Sequence, residues 1–255
     1  MARLSTVNLC KSFGGLSAVL DFSMEIGDGE LIGLIGPNGA GKTTVFNLIT
    51  GVYRPDSGSI IFNGQNITGK KPYYICKQGI ARTFQNIRLF NGLSVIDNLK
   101  ISFHKDVPYQ LVSAILRLPS FYRGESWIEE RAIQYLEIMN LADKREELAS
   151  SLPYGEQRRL EIARALATNP SLLILDEPAA GMNPLETQEL TNLIRKLKDN
   201  FNLTILLIEH DMALVMELCE RIYVLDYGRA IAQGTPEEIR NNPRVIEAYL
   251  GEEVG

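Results

Sequence analysis

Gly36-Pro37-Asn38-Gly39-Ala40-Gly41-Lys42-Thr43 gathers residue types that can hold a polyphosphate. Gly36, Gly39 and Gly41 permit backbone conformations that a Cβ forbids, so successive N–H groups can curl around an anion. Lys42 adds a mobile positive charge for the β- and γ-phosphates of a nucleoside triphosphate. The Thr43 hydroxyl suits Mg²⁺, a hard cation that prefers oxygen. The spacing fits Gly-x-x-x-x-Gly-Lys-[Ser/Thr], with Pro37, Asn38 and Ala40 inside the loop and Thr44 just after it. Such a loop needs a strand before it and a helix after it. Leu31-Ile32-Gly33-Leu34-Ile35 is a short apolar run that predicts a buried strand. Residues 44–49 predict a helix start, whose N-terminus would add a positive field at the phosphates. The alternative, a glycine-rich turn that holds no ligand, has no use for these flanks. No Gly-x-Gly-x-x-Gly follows a strand, so a dinucleotide-binding fold has no support.

Two carboxylates end a second apolar run, Leu172-Leu173-Ile174-Leu175-Asp176-Glu177. Ligands bind at that edge of open α/β sheets. Asp176 is a candidate for Mg²⁺, directly or through water, and Glu177 for the general base that orients the attacking water. An ordinary acidic turn before Pro178 is the alternative. His210 ends the run Leu203–Ile208 plus Glu209, where an imidazole could hydrogen-bond a γ-phosphate or serve structure. Gln85 could cap a loop or touch Mg²⁺ or water. Leu152-Pro153-Tyr154-Gly155-Glu156-Gln157 precedes Leu160, Ala163 and Ala167 on one helical face. A glycine turn before that helix would make a second anion site.

These groups must be carried by a sizeable fold. The chain has 255 residues, 45% hydrophobic and 22% charged, enough for one large domain or a core with a subdomain. Lys plus Arg is 26, Asp plus Glu is 31, and the net charge of −5 disfavours a general nucleic-acid binder. Cys10, Cys76 and Cys219 are odd in number and widely spaced, which fits reduced thiols in a cytoplasmic protein. His104 and His210 are the only histidines, so a histidine-based metal site is not expected. No apolar stretch approaches the ~20 residues of a membrane span. The N-terminal residues lack a signal-peptide core, so a soluble or peripheral protein is expected.

The expected fold class is α/β, with a mostly parallel central sheet, an N-terminal antiparallel β layer and an inserted helical subdomain. Ala18, Leu20, Phe22, Met24 and Ile26 alternate with mostly polar residues, which predicts a half-buried antiparallel strand. Ile60-Ile61-Phe62-Asn63 predicts another. The runs 172–175 and 203–208 read as central parallel strands, buried on both faces. Residues 221–225 and 229–232 flank Asp226-Tyr227-Gly228 as a hairpin. Ile128, Ala132, Leu136 and Met139 recur at helical spacing within a segment where strand signals fade. The aromatic-rich stretch from His104 to Trp127, interrupted by Pro108 and Pro119, either caps these helices or packs on another chain. Thr235-Pro236 predicts a final helix start. The expected division is a core of 1–86 and 156–235, a helical subdomain of 87–155, and a helical tail of 236–255.

In order and spacing these residues resemble the ATP-binding-cassette ATPase family over nearly the whole chain. Gly36 to Thr43 matches its Walker A motif and Leu172 to Glu177 its Walker B. Leu152 to Gln157 falls at its Leu-Ser-Gly-Gly-Gln signature, Gln85 at its glutamine loop and His210 at its switch histidine. Phe13 falls where the family stacks an aromatic on adenine; plain core is the other reading. Pro153 replaces the signature serine, Tyr154 its first glycine, and Asn183 an aspartate after Walker B. Phosphate contact by the signature would then rest on Gly155 and the backbone of the following helix. The runs Arg82–Phe90, Tyr154–Arg164 and Gly234–Pro243 are similar to the longer ATPase subunit of branched-chain amino-acid importers. Rival readings within the fold are an exporter or lipid-extraction ATPase, and a soluble cassette protein. The importer resemblance implies Mg²⁺ and ATP held between Walker A of one subunit and the signature of another. It implies a homodimer, or a heterodimer with a second cassette ATPase. It also implies two transmembrane permease subunits, an extracytoplasmic substrate-binding protein, no nucleic acid, and a peripheral place on the cytoplasmic face of the inner membrane.

Overall fold

A computed structural model describes residues 2–107 and 109–250. Pro108, the side chain of His104, and the end of the tail at 251–255 lie outside the described residues. In chain order the elements are β1 (Ala2–Phe13), β2 (Leu16–Gly27), β3 (Leu31–Ile35), α1 (Lys42–Ile49), β4 (Ser57–Phe62), β5 (Gln65–Asn66), α2 (Pro72–Lys77) and β6 (Ile80–Arg82). Next come α3 (Val95–Lys100), α4 (Leu111–Ile115), α5 (Pro119–Ile138) and α6 (Tyr154–Leu166). The chain closes with β7 (Leu172–Asp176), α7 (Pro184–Phe201), β8 (Thr204–Ile208), α8 (Met212–Leu218), β9 (Arg221–Asp226), β10 (Arg229–Gly234), α9 (Pro236–Arg240) and α10 (Pro243–Leu250).

Two compact units result. One spans Met1–Arg82 and Ser171–Gly255, the other Thr83–Pro170. These borders fall at 82/83 and 170/171, where the sequence placed 86/87 and 155/156; α6 packs on α3 and α5 inside the helical unit. The sheet unit holds a four-stranded antiparallel sheet, β2-β1-β4-β5, and a six-stranded sheet, β10-β9-β3-β8-β7-β6. The latter is parallel except for the β9–β10 hairpin. β3, β7 and β8 are buried at every position, as unbroken apolar strands between two layers must be. Leu4, Phe22 and Phe62 of one sheet and Ile32, Leu34, Ile174 and Leu206 of the other share a core with Val45, Phe46, Leu48 and Ile49 of α1. Burying one such side chain stabilises by about 1.5–3 kcal/mol, and this core is what fixes the helix that starts at Lys42.

The β2 alternation holds from Phe22 to Ile26 and slips by one residue before it. Val19 is buried, while Ala18 and Leu20 are half-exposed. Asp21 adopts φ 54°, and the pairing with β1 jumps from Leu9↔Phe22 to Lys11↔Val19. An extra residue at this bulge flips the strand's earlier side chains to the other face. The β9–β10 turn uses Tyr227 at φ 42° and Gly228 at φ 78°, the doubly left-handed geometry of a two-residue hairpin.

In the helical unit, Ile128, Ala132 and Leu136 of α5 and Met139 just after it are buried, as their spacing predicts. The aromatic stretch packs locally. Phe103 meets Trp127 and Tyr135, and Tyr109 meets Phe121, with ring centroids 5.2–6.1 Å apart. Among the described residues no helix is long and apolar enough to cross a membrane.

Candidate active site

β3, β8 and β7 are adjacent and parallel, so their C-terminal ends share one edge of the sheet. The glycine loop leaves β3 there, Asp176 and Glu177 end β7, and His210 follows β8. That is the edge at which α/β sheets hold ligands.

The loop is shaped by two glycines that nothing else could replace. Gly36 has φ 149° and Gly41 φ 105°. A Cβ on Gly36 would collide with the Leu225 carbonyl oxygen, and one on Gly41 with that of Ala18. Gly41 is the N-cap of α1 and brings no side-chain acceptor to the helix's first N–H groups, a helix start that suits an anion. Lys42 is buried and donates from Nζ to the carbonyl oxygens of Gly36 at 2.5 Å and Pro37 at 2.8 Å. Asn38, Gly39 and Thr43 are exposed, Thr44 is half-buried, and Pro37 and Ala40 are buried. A cleft of about 640 Å³ opens beside Pro37, Asn38, Gly39 and Ala40, walled by Tyr227 and Arg244.

Asp176 is buried and bound to Arg82, whose Nη2 donates to Oδ2 at 2.6 Å. The other end of that guanidinium donates to Asn47 Oδ1 at 2.7 Å and Thr50 Oγ1 at 3.3 Å. Arg82 therefore ties β6, β7 and the end of α1 around the acidic strand end. Glu177 takes a left-handed backbone, φ 46°, which is strained for a residue with a Cβ. Its N–H donates to Ile208 O at 2.9 Å, and its Oε1 lies 2.7 Å from His210 Nε2. Glu209 is buried behind this pair and accepts from Ala179 N–H at 2.7 Å and His210 N–H at 3.1 Å. Burial pushes its carboxyl above the usual carboxylate range, against the pull of the N–H groups of Ala179, His210 and Asp211.

Phe13, at the end of β1, is 42% exposed and so is not core. It meets Tyr53 edge-on with centroids 5.1 Å apart, and Lys11 Nζ sits 5.4 Å from its ring centroid. Asn183 caps α7, accepting from Leu185 N–H and Glu186 N–H at 3.0 Å in a capping box with Glu186. An aspartate would cap in the same way.

The remaining sequence-predicted residues lie in the helical unit. Gln85 is exposed. Tyr154 to Gln157 form the first turn of α6, with Pro153 as N-cap. Gly155 is thus inside the helix, not in a turn before it. Glu156 pairs with Lys144 at 2.7 Å, and Gln157 Nε2 donates to Leu152 O at 2.8 Å. A fully buried Arg158 donates to Phe84 O at 2.6 Å, Gln85 O at 2.8 Å, Glu161 Oε2 at 2.8 Å and Tyr154 Oη at 3.2 Å. Glu161 Oε1 accepts from Arg88 N–H at 3.1 Å and more weakly from Phe84 N–H. This ion pair fastens the segment carrying Gln85 to the helix carrying Tyr154. Sequence reasoning gave no role to Arg82, Arg158, Glu161 or Glu209. The signal available was a charge where the pattern calls for an apolar residue: Arg158 and Glu161 stand i,i+3 beside the buried face of α6.

A glycine cradle at a helix start, a buried lysine, an exposed threonine hydroxyl and an acidic strand end suit the phosphates of a nucleotide and a hard divalent cation. Fold and site together define a phosphate-loop nucleoside triphosphatase. A family profile described as ABC transporter matches residues 19–180, more than half of the chain. The chain belongs to the ABC transporter family, as a nucleotide-binding ATPase cassette. A second profile, described as branched-chain amino acid ATP-binding cassette transporter, matches residues 231–255. The chain is 51% identical to the high-affinity branched-chain amino acid transport ATP-binding protein LivG of Escherichia coli K12, over 98% of each chain. It is 46% identical to BraF of Pseudomonas aeruginosa, described in the same words, again over 98% of each. It is 37% identical to the lipopolysaccharide export system ATP-binding protein LptB of Escherichia coli K12, over 99% of each. Among solved structures it resembles MJ1267, an ATP-binding cassette of an ABC transporter, with TM-score 0.85 and 32% identity over 98% of this chain and 99% of that one.

Proposed function

We propose that this chain is the ATP-hydrolysing subunit of an importer for branched-chain amino acids. The observation that carries the reading is 51% identity with LivG along 98% of the chain, joined to the C-terminal match at 231–255. In this reading the backbone of Gly36 to Thr43 cradles the phosphates, Lys42 neutralises them and Phe13 stacks on the base. Thr43 and Asp176 would hold Mg²⁺, which would supply charge neutralisation at the phosphates, and Gln85 is assigned to the metal by the family resemblance alone. Glu177 accepts the proton of the attacking water, and His210, in contact with its carboxylate, keeps it aimed. Leu152, Tyr154, Gly155, Glu156 and Gln157 meet the nucleotide of a second cassette in a head-to-tail dimer. That second cassette is a copy of this chain or a shorter homologue. Two membrane-spanning permeases and an extracytoplasmic binding protein complete the complex, and the chain sits on the cytoplasmic face of the inner membrane.

A second reading, the ATPase of a lipopolysaccharide exporter, draws on the 37% identity with LptB. Purifying the tagged chain from native membranes in mild detergent separates the two. Co-purification of two multi-span permeases, a shorter cassette and an amino-acid-binding protein supports import. Co-purification with lipopolysaccharide-handling membrane proteins, or with no membrane protein, rejects it.

A further inference from the structure

Glu209 occupies a position with no obvious reason to be charged. It follows a fully buried strand and is itself 4% exposed. A carboxylate taken out of water costs free energy unless its oxygens are satisfied. Here each oxygen is spent on a different loop. Oε1 accepts from Ala179 N–H, two residues beyond Glu177, and Oε2 accepts from the N–H of His210.

These bonds belong to a closed ring. Glu177 N–H donates to Ile208 O at 2.9 Å. The side chains of Glu177 and His210 meet at 2.7 Å. Ala179 and His210 are then joined through Glu209. Within that ring Glu177 holds φ 46°. A left-handed backbone costs free energy and persists only where its surroundings over-determine it. The ring supplies that over-determination, and of the three side chains in it Glu209 is the one not already placed in the hydrolytic pair.

We propose that Glu209 is a positioning residue for ATP hydrolysis: its buried carboxylate clamps the loop after β7 to the loop after β8, and so holds Glu177 and His210 in register. The proposal rests on the assignment of Glu177 and His210 as the hydrolytic pair. The chemistry explains why a carboxylate is needed. Here the N–H groups of Ala179 and His210 take separate oxygens, and an amide offers one oxygen and one NH₂. Glu209→Gln keeps the size of the side chain but sets a donor against a donor.

The test uses the full chain in its purified transporter complex, with Glu209→Gln and Glu209→Asp measured beside the unaltered protein. We expect Glu209→Gln to lower kcat by about tenfold to a hundredfold, the scale of an ångström-level misplacement. KM for ATP should stay within about twofold, because the phosphate loop is untouched. Glu209→Asp keeps both acceptors on a shorter stem and should recover part of kcat. A second readout is the imidazole NMR spectrum of the full chain, which holds only His104 and His210. The His210 ring signals should shift in Glu209→Gln while those of His104 do not. Unchanged kcat and unchanged His210 signals would overturn the clamp, as would a variant that only melts earlier while its folded fraction turns over normally. Glu177→Gln, run alongside, separates the two levels. Normal turnover there removes the hydrolytic-pair assignment itself. Lost turnover there, with Glu209→Gln unaltered, removes the clamp alone.

Discussion

In the proposed function, hydrolysis and binding divide between Glu177 and Lys42. Glu177→Gln is expected to cut turnover by about 10²–10⁴-fold while leaving nucleotide affinity intact, measured by steady-state phosphate release and a fluorescent nucleotide. Near-normal turnover would remove Glu177 as the general base. Lys42→Ala should abolish nucleotide binding or hydrolysis, because it removes the buried ammonium group held at the carbonyls of Gly36 and Pro37. Unchanged affinity and rate would contradict the phosphate-loop assignment. Arg82→Met leaves the Asp176 carboxylate buried without its 2.6 Å partner. Losing one member of a buried pair costs about 3–5 kcal/mol, so a marked fall in melting temperature is expected. Lys42, Asp176, Glu177 and His210 were legible in the sequence because each sits in a motif or at the end of an apolar run. Arg82 and Glu209 were not, because their meaning lies in partners far away in sequence: Arg82 reaches Asp176, and Glu209 reaches Ala179.

At the scale of elements, continuous apolar runs gave away β3, β7 and β8, since only strands buried on both faces read that way. The Asp226-Tyr227-Gly228 turn was equally plain. The bulge at Asp21 was hidden because the apolar alternation continues through it, and only pairing with β1 decides which residues face inward. The start of α6 was hidden for a related reason. Pro153 serves as N-cap and pulls Gly155 into the first turn, where a glycine read alone suggests a turn. The Arg158–Glu161 pair makes α6 the anchor of residues 84–88. Glu161 carries a carboxyl raised by burial and drawn back by Arg158 and two backbone N–H groups. Glu161→Ala should free those N–H groups, and hydrogen exchange at Phe84 and Arg88 should quicken by about tenfold for each ~1.4 kcal/mol lost. Unchanged exchange at both would show that other contacts hold the segment.

The whole molecule is a family cassette in two units, and its sequence resemblance extends to both. Among the described residues no helix is long and apolar enough to cross a membrane. Cargo was the least legible property, since the residue types read from the sequence are those that hold a nucleotide. The central claim, that ATP hydrolysis by this chain drives branched-chain amino-acid import, is tested most directly by transport itself. The complex co-purified with this chain would be reconstituted in vesicles with its binding protein, and ATP-driven uptake of labelled leucine, isoleucine and valine measured. Uptake that needs ATP and is lost with Glu177→Gln is the expected result. ATP hydrolysis without uptake of any of the three, in vesicles that retain the permeases, would contradict the account.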